Sequence, residues 1–322
     1  RGEWRKNLIF ADMMKQNSFK AWVLACRPKT LSGALVSVCC ATALACRHGS
    51  VDWRMALLCA LFASLMQVAS NLINDLYDFL RGTDGEDRLG PERACAQGWI
   101  TPSAMRRGIT LVCVLAAMVG VGIIVGFCLS PAFAVLSATM SLPAVAAVFT
   151  LVVAAVVGGA FFYTTFGSYH GLGDMLVYLF FGYIPTCGTY LVLRGTLDWE
   201  VMVLATAVAL VVDTLLVVNN YRDRDTDRSA GKFTLIARFG RRFGEHFYLW
   251  QGILAWICAS FLGLHGHFMV SRLTVIYVLL HCATWRSMRR IGEGRALNAI
   301  LGMTSRNMLC FTLLVVMALM IE

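Results

Sequence analysis

Long apolar runs separated by short polar segments dominate the chain. Nine of them, roughly 31–46, 55–80, 108–129, 141–163, 174–193, 200–220, 246–264, 271–287 and 304–321, approach span length. A helix needs about 20 mostly apolar residues to cross about 30 Å of hydrocarbon. The pattern therefore predicts an all-α integral membrane protein with about nine transmembrane helices, in a single domain over 1–322. Residues 1–19 form a charged N-terminal segment ahead of it. The apolar stretch from Pro131 to Tyr163 is interrupted by Pro143 and leaves room for a re-entrant piece.

Composition agrees with that reading. Hydrophobic residues make up 58% of the chain and charged residues 15%, against about 45–50% and about 25% in soluble domains. Disorder, collagen, coiled coil and disulfide scaffold are excluded by the same two values. The chain opens on Arg1 rather than Met, and its first 20 residues carry charges without an apolar core, so no cleavable signal peptide is expected there. The 12 cysteines lie singly or adjacent (Cys39, Cys40) in apolar runs, with no C-x-x-C, and read as small buried hydrophobes.

Charge sets the orientation, because Lys and Arg accumulate on the cytoplasmic side. With nine spans and a cytoplasmic N-terminus, 24 of the 28 Lys and Arg fall in or beside inner segments; the others are Arg47, Arg54, Arg194 and Arg272. This asymmetry accounts for the net charge of +9 without nucleic acid, for which no recognition motif is present.

Two polar stripes interrupt the apolar pattern, and charges at span ends are expensive enough to read as functional by default. Asn71, Asn74, Asp75 and Asp78 share an arc of about 100° at the inner end of the second span. Asn219, Asn220, Asp223 and Asp227 share an arc of about 100° at the end of the sixth. Four crossings separate them, so both face the cytoplasm. Oxygen ligands from one or two carboxylates, with substrate phosphate oxygens, suit Mg²⁺. The alternative is helix-end acids paired with Arg81, Arg222, Arg224 and Arg228. Glycine- and cation-rich segments follow both stripes: Arg81 to Arg93, with Asp84, and Arg228 to Thr234, with Lys232.

At these residues the chain resembles the UbiA superfamily of intramembrane prenyltransferases. Their signature Asn-Asp-x-x-Asp-x-x-x-Asp is matched by Asn74, Asp75 and Asp78, departing where Gly82 replaces the last Asp and Asp84 follows. Their Asp-x-x-x-Asp is matched by Asp223 and Asp227. Arg27-Pro28-Lys29-Thr30, Arg88 to Arg93, Asn219 to Asp223 and Gly231 to Leu235 are most similar to the 1,4-dihydroxy-2-naphthoate polyprenyltransferase branch. The likeness runs over about residues 20–320.

The resemblance implies nine helices around a central cavity open toward lipid. It also implies transfer of a polyprenyl group from its diphosphate to 1,4-dihydroxy-2-naphthoate, with loss of CO₂, giving demethylmenaquinone. Asp75, Asp78, Asp223 and Asp227 would be catalytic. Asn74, Asp78, Asp84, Asp223 and Asp227 would hold Mg²⁺. Lys29, Asn71, Arg81, Arg93, Tyr163, Asn219, Asn220, Arg222 and Lys232 would contact substrate. Phe162, Tyr163, Phe166, Tyr169 and Tyr178 offer π-faces to an allyl cation, and Asp174 could touch the acceptor. Asp213 is left without a role, and the H-x-H of His265 and His267 reads as incidental. Two other activities compete: a 4-hydroxybenzoate polyprenyltransferase of ubiquinone synthesis, and a secondary transporter.

Overall fold

In lipid every backbone N–H and C=O must be bonded within its own segment, so apolar runs of span length fold as helices. The computed structural model describes residues 15–82 and 89–322. Among them run α1 (Phe19–Cys26), α2 (Leu31–Arg47), α3 (Trp53–Leu80), α4 (Pro102–Cys128), α5 (Pro131–Ser137) and α6 (Leu142–Thr165). After these come α7 (Gly173–Arg194), α8 (Trp199–Ser229), α9 (Leu235–Leu264), α10 (Phe268–Ile291) and α11 (Leu297–Ile321). Eight of these are long and apolar enough to cross a membrane. The ninth expected span is α2, which reaches that length only together with α1, across a bend of 53°.

The helix starts are written in the sequence. Asp52, Thr101, Asp198 and Thr234 cap α3, α4, α8 and α9 by accepting a hydrogen bond from a first-turn amide. Pro143 opens α6 rather than breaking a span, and the stretch before it forms the short α5. Several helices run past their apolar stretches, so both polar stripes lie within helices, α3 and α8. Helix α9 begins well before its apolar run and breaks once, at Gly240, where φ is +82°.

Helix α8 packs on α9, α7, α11 and α2, and α2 packs on α11, which brings the first and last long helices together. Large apolar side chains such as Leu57, Leu61, Leu111, Val121, Leu151 and Leu279 stay exposed, as the outer surface of a bundle in lipid requires. The protein is an integral, multi-pass membrane protein.

Helix α7 is locally π-helical at Tyr178–Tyr183. Pro185 follows, and its ring cannot donate to the carbonyl four residues earlier, that of Phe181. The Ser37 hydroxyl of α2 donates to that oxygen instead. The wide turn borders an apolar chamber, partly open to its surroundings, among α2, α3, α4, α6 and α7. Phe62, Phe149, Phe180 and Phe181 line it.

Candidate active site

Both acidic helix ends meet at one end of the bundle. The linker between α8 and α9 turns at Gly231, with φ +71°, and places the Lys232 ammonium 3.4 Å from Asp227 Oδ1. Burial pulls the Lys232 pKa down, but the carboxylates of Asp227, Asp78 and Asp223 outweigh it and raise it above its ordinary value. A single cation thus feels three carboxylates from two helices. Sequence alone paired those helices only by parity of crossings.

A second, smaller cavity opens beside Lys232, lined by Tyr163, Gly173, Asp174, Asn220 and Thr234 among others. Tyr163 borders both this polar cavity and the apolar chamber. An elongated amphiphile with an anionic head therefore finds an apolar room, a hinge at Tyr163 and a charged room in sequence.

The expected residues divide on inspection. Asp78 receives an ion pair from Arg93 at 3.1 Å. Asp227 Oδ2 is buried and makes no hydrogen bond. Asp223 is held in bidentate fashion by Arg222, Nε to Oδ1 at 2.7 Å and NH2 to Oδ2 at 2.5 Å. A carboxylate so held keeps one lone pair on each oxygen. Asn74 is half-buried one turn from Asp78 on α3. Carboxylates and an amide oxygen form a hard, all-oxygen donor set, and the bare buried oxygen of Asp227 wants a cation. These residues fit a divalent ion.

Four expected site residues instead hold the frame. Asp75 is 1% exposed and accepts from the amides of Ala94 and Cys95, both at 2.9 Å. It turns to the following loop, away from the site, because that loop brings two amides over the stripe; the loop in turn delivers Arg93 to Asp78. Asn71 donates to Cys26 O and to Thr30 Oγ1, each at 2.9 Å, and so pins the turn Pro28–Thr30. Arg222 spends its remaining nitrogen on Asn298 at 2.8 Å. The amide of Asn219 donates back to Leu215 O of its own helix. Asp84 lies outside the described residues, and only the backbone of Lys29 is described.

The paired-acid alternative is also partly realised. Arg222 and Arg224 lie against Asp223 and Asp225. Arg228 donates to Ala237 O, and Arg81 stacks over the Tyr169 ring at 4.2 Å. Of the five aromatic residues proposed for a cation, Phe162 and Phe166 are exposed and pack against each other at a tilt. Only Tyr163 borders the chamber.

Sequence reasoning undervalued two buried acids. Asp174 stands in the polar cavity with Oδ1 unbonded. Fully buried Asp213 accepts from Gln251 at 2.7 Å, and Gln251 also contacts the Tyr178 hydroxyl. A lone Asp in mid-span was the available signal.

The profile of the UbiA prenyltransferase family matches residues 34–305. The chain belongs to the UbiA prenyltransferase family. Among its relatives is the 1,4-dihydroxy-2-naphthoate octaprenyltransferase of Escherichia coli K12, 35% identical over 221 residues, 69% of each chain. The Mycobacterium tuberculosis protein of the same name is 34% identical over 243 residues, 74% of this chain and 75% of that one. A human relative, UbiA prenyltransferase domain-containing protein 1, is 31% identical over 265 residues, covering 79% and 72%. A UbiA homologue from Archaeoglobus fulgidus, solved bound to DMAPP and Mg²⁺, superposes with a TM-score of 0.64 at 13% identity, over 94% of this chain and 99% of that one. At that identity the likeness speaks for the fold, which is the UbiA fold.

Proposed function

We propose that this UbiA-family prenyltransferase moves a polyprenyl group from its diphosphate to 1,4-dihydroxy-2-naphthoate, releasing diphosphate and CO₂ and yielding the demethylmenaquinone skeleton. The observation that carries this reading is the meeting of Asp78, Asp223 and Asp227 around Lys232 beside an apolar chamber. The choice of acceptor leans on the relatives named above. The positive-inside asymmetry supports a cytoplasmic orientation for this end of the bundle.

The prenyl chain lies in the chamber and its diphosphate in the charged cavity. Asn74 with Asp78, and Asp223 with Asp227, would hold Mg²⁺, which when bound would supply positive charge to the diphosphate leaving oxygens. Lys232 and Arg93 supply fixed positive charge to the same group, and Arg81 lies over the Tyr169 ring. Asp75, Asn71, Arg222 and Asn219 keep these groups in place. As the allylic C–O bond breaks, Tyr163 presents a π-face where the apolar and polar rooms meet. The dry chamber keeps water from the cation.

Asp174 is placed to accept a hydrogen from an acceptor hydroxyl. The ring carbon bearing the carboxylate attacks the allylic carbon. The carboxylate then leaves as CO₂, its bonding pair returning to the ring, so no proton has to be taken from the ring carbon.

The test is a product assay. Purified protein with Mg²⁺ and a polyprenyl diphosphate receives 1,4-dihydroxy-2-naphthoate or 4-hydroxybenzoate, and products are read by mass spectrometry. The expected product is a prenylated naphthoquinol lacking the carboxylate, absent when EDTA replaces Mg²⁺. Prenylated hydroxybenzoate alone would overturn the acceptor assignment.

A further inference from the structure

At the end of the bundle opposite the acidic stripes, four helix ends bring a second polar cluster together. His48 is the residue that ends α2, Glu200 lies in the first turn of α8, His267 starts α10 and Glu322 follows α11. His48 Nε2 is 2.8 Å from Glu200 Oε2, and His267 Nε2 is 3.6 Å from the same oxygen. All three ligand atoms lie within 4.8 Å of one another. None of these residues belongs to the prenyl-transfer site.

Each ring has a carboxylate on the side away from Glu200. The Tyr190 hydroxyl donates its only proton to Asp198 Oδ2 at 2.6 Å, so its contact of 2.6 Å with His48 Nδ1 must be donated by the imidazole. His48 therefore carries a proton on Nδ1 and turns Nε2 toward Glu200. His267 has Nδ1 3.4 Å from Glu322 Oε2 and Nε2 toward Glu200. His267 is 5% exposed, and neither its Nδ1 nor Glu322 Oε2 completes a hydrogen bond. Glu322 is fixed from its other oxygen, which accepts from the Met269 amide. His265, two residues earlier, differs: it meets Trp199 edge-on at the surface.

We propose that His48 Nε2, His267 Nε2 and Glu200 Oε2 form a binding site for a divalent transition metal of the zinc class, with Asp198 (through Tyr190) and Glu322 as the carboxylates behind the two imidazoles. Two imidazoles and one carboxylate, with a fourth position for water, is a common zinc donor set. Ligands about 2.0–2.1 Å from the ion lie about 3.3 Å apart along a tetrahedral edge. The two measured separations bracket that value. Carboxylates behind both ligand histidines fix ring orientation and raise basicity. Imidazole donors favour zinc or cobalt over Mg²⁺, so the two ends of the molecule select different ions. A metal there ties α2, α8 and α10 at their outer ends.

The test uses tag-free, full-length protein in detergent, stripped with chelator and titrated with Co²⁺ in excess Mg²⁺. The expected result is one equivalent of Co²⁺ per chain with tetrahedral ligand-field bands, displaced by one equivalent of Zn²⁺. His267→Gln and His48→Gln, each shown folded by its melting curve, lose the bands, while Asp227→Asn retains them. Zn²⁺ also raises the melting temperature of the wild type but not of His267→Gln. Absence of bands in folded wild type would overturn the proposal in favour of imidazolium–carboxylate pairing alone. Bands of equal strength in both histidine variants would overturn it as well.

Discussion

Asp75 accepts two buried backbone amides, whereas Asp227 leaves an oxygen bare, and opposite consequences follow from replacing them. Asp75→Ala strands both amides at about 1–3 kcal/mol each. Its stability falls by about 2–5 kcal/mol, read as a lowered melting temperature in detergent. Asp227→Asn removes one of three crowded carboxylates while keeping the shape. It melts no lower than the wild type, yet its turnover falls by about 100-fold or more, the scale of losing one electrostatic stabiliser at a reacting centre. Lys232 belongs with Asp227. Its pKa is raised, so it stays cationic through neutral pH, and its charge is lost only above its ordinary value. Lys232→Gln accordingly raises KM for the prenyl diphosphate by about 10-fold, the worth of about 1.4 kcal/mol, and leaves the shape of the rate profile between pH 6 and about 9 unchanged.

Elements carry specificity of a different kind. The π-helical turn of α7 and Pro185 shape the wall of the chamber. One turn further on, Gly188 lines the same chamber, and a Cβ built on it meets nothing within 4 Å. Gly188→Phe therefore fills space without displacing backbone. Its KM rises for long prenyl diphosphates and changes little for short ones, as competition between two chain lengths would show. Gly159 is no substitute in this test, because its Cβ would strike the Phe180 ring at 2.2 Å. Span positions were legible because lipid demands about 20 apolar residues. Helix ends were less so: α8 continues to Ser229 and α9 begins at Leu235, where hydrophobicity has faded but backbone hydrogen bonding continues.

For the molecule as a whole, α3 and α8 bring their polar ends to one face while the ends of α2, α8, α10 and α11 nearest His48, Glu200, His267 and Glu322 gather at the other. The first juxtaposition was legible, since an even number of crossings returns the chain to the same side. The second was not. His48, Glu200, His267 and Glu322 come from four segments whose proximity no local period encodes. The same limit hid the division within one stripe. Periodicity puts Asp75 and Asp78 on a common face, but only the loop carrying Ala94 and Cys95 shows that the first is anchored. If both acidic helix ends build one metal-dependent diphosphate site, as proposed, calorimetry of a non-hydrolysable prenyl thiodiphosphate with the wild type, Asp78→Asn and Asp227→Asn, with and without Mg²⁺, will show it. The expected result is Mg²⁺-dependent binding that either substitution alone abolishes. Equal binding without Mg²⁺, or binding that survives both substitutions, would contradict it.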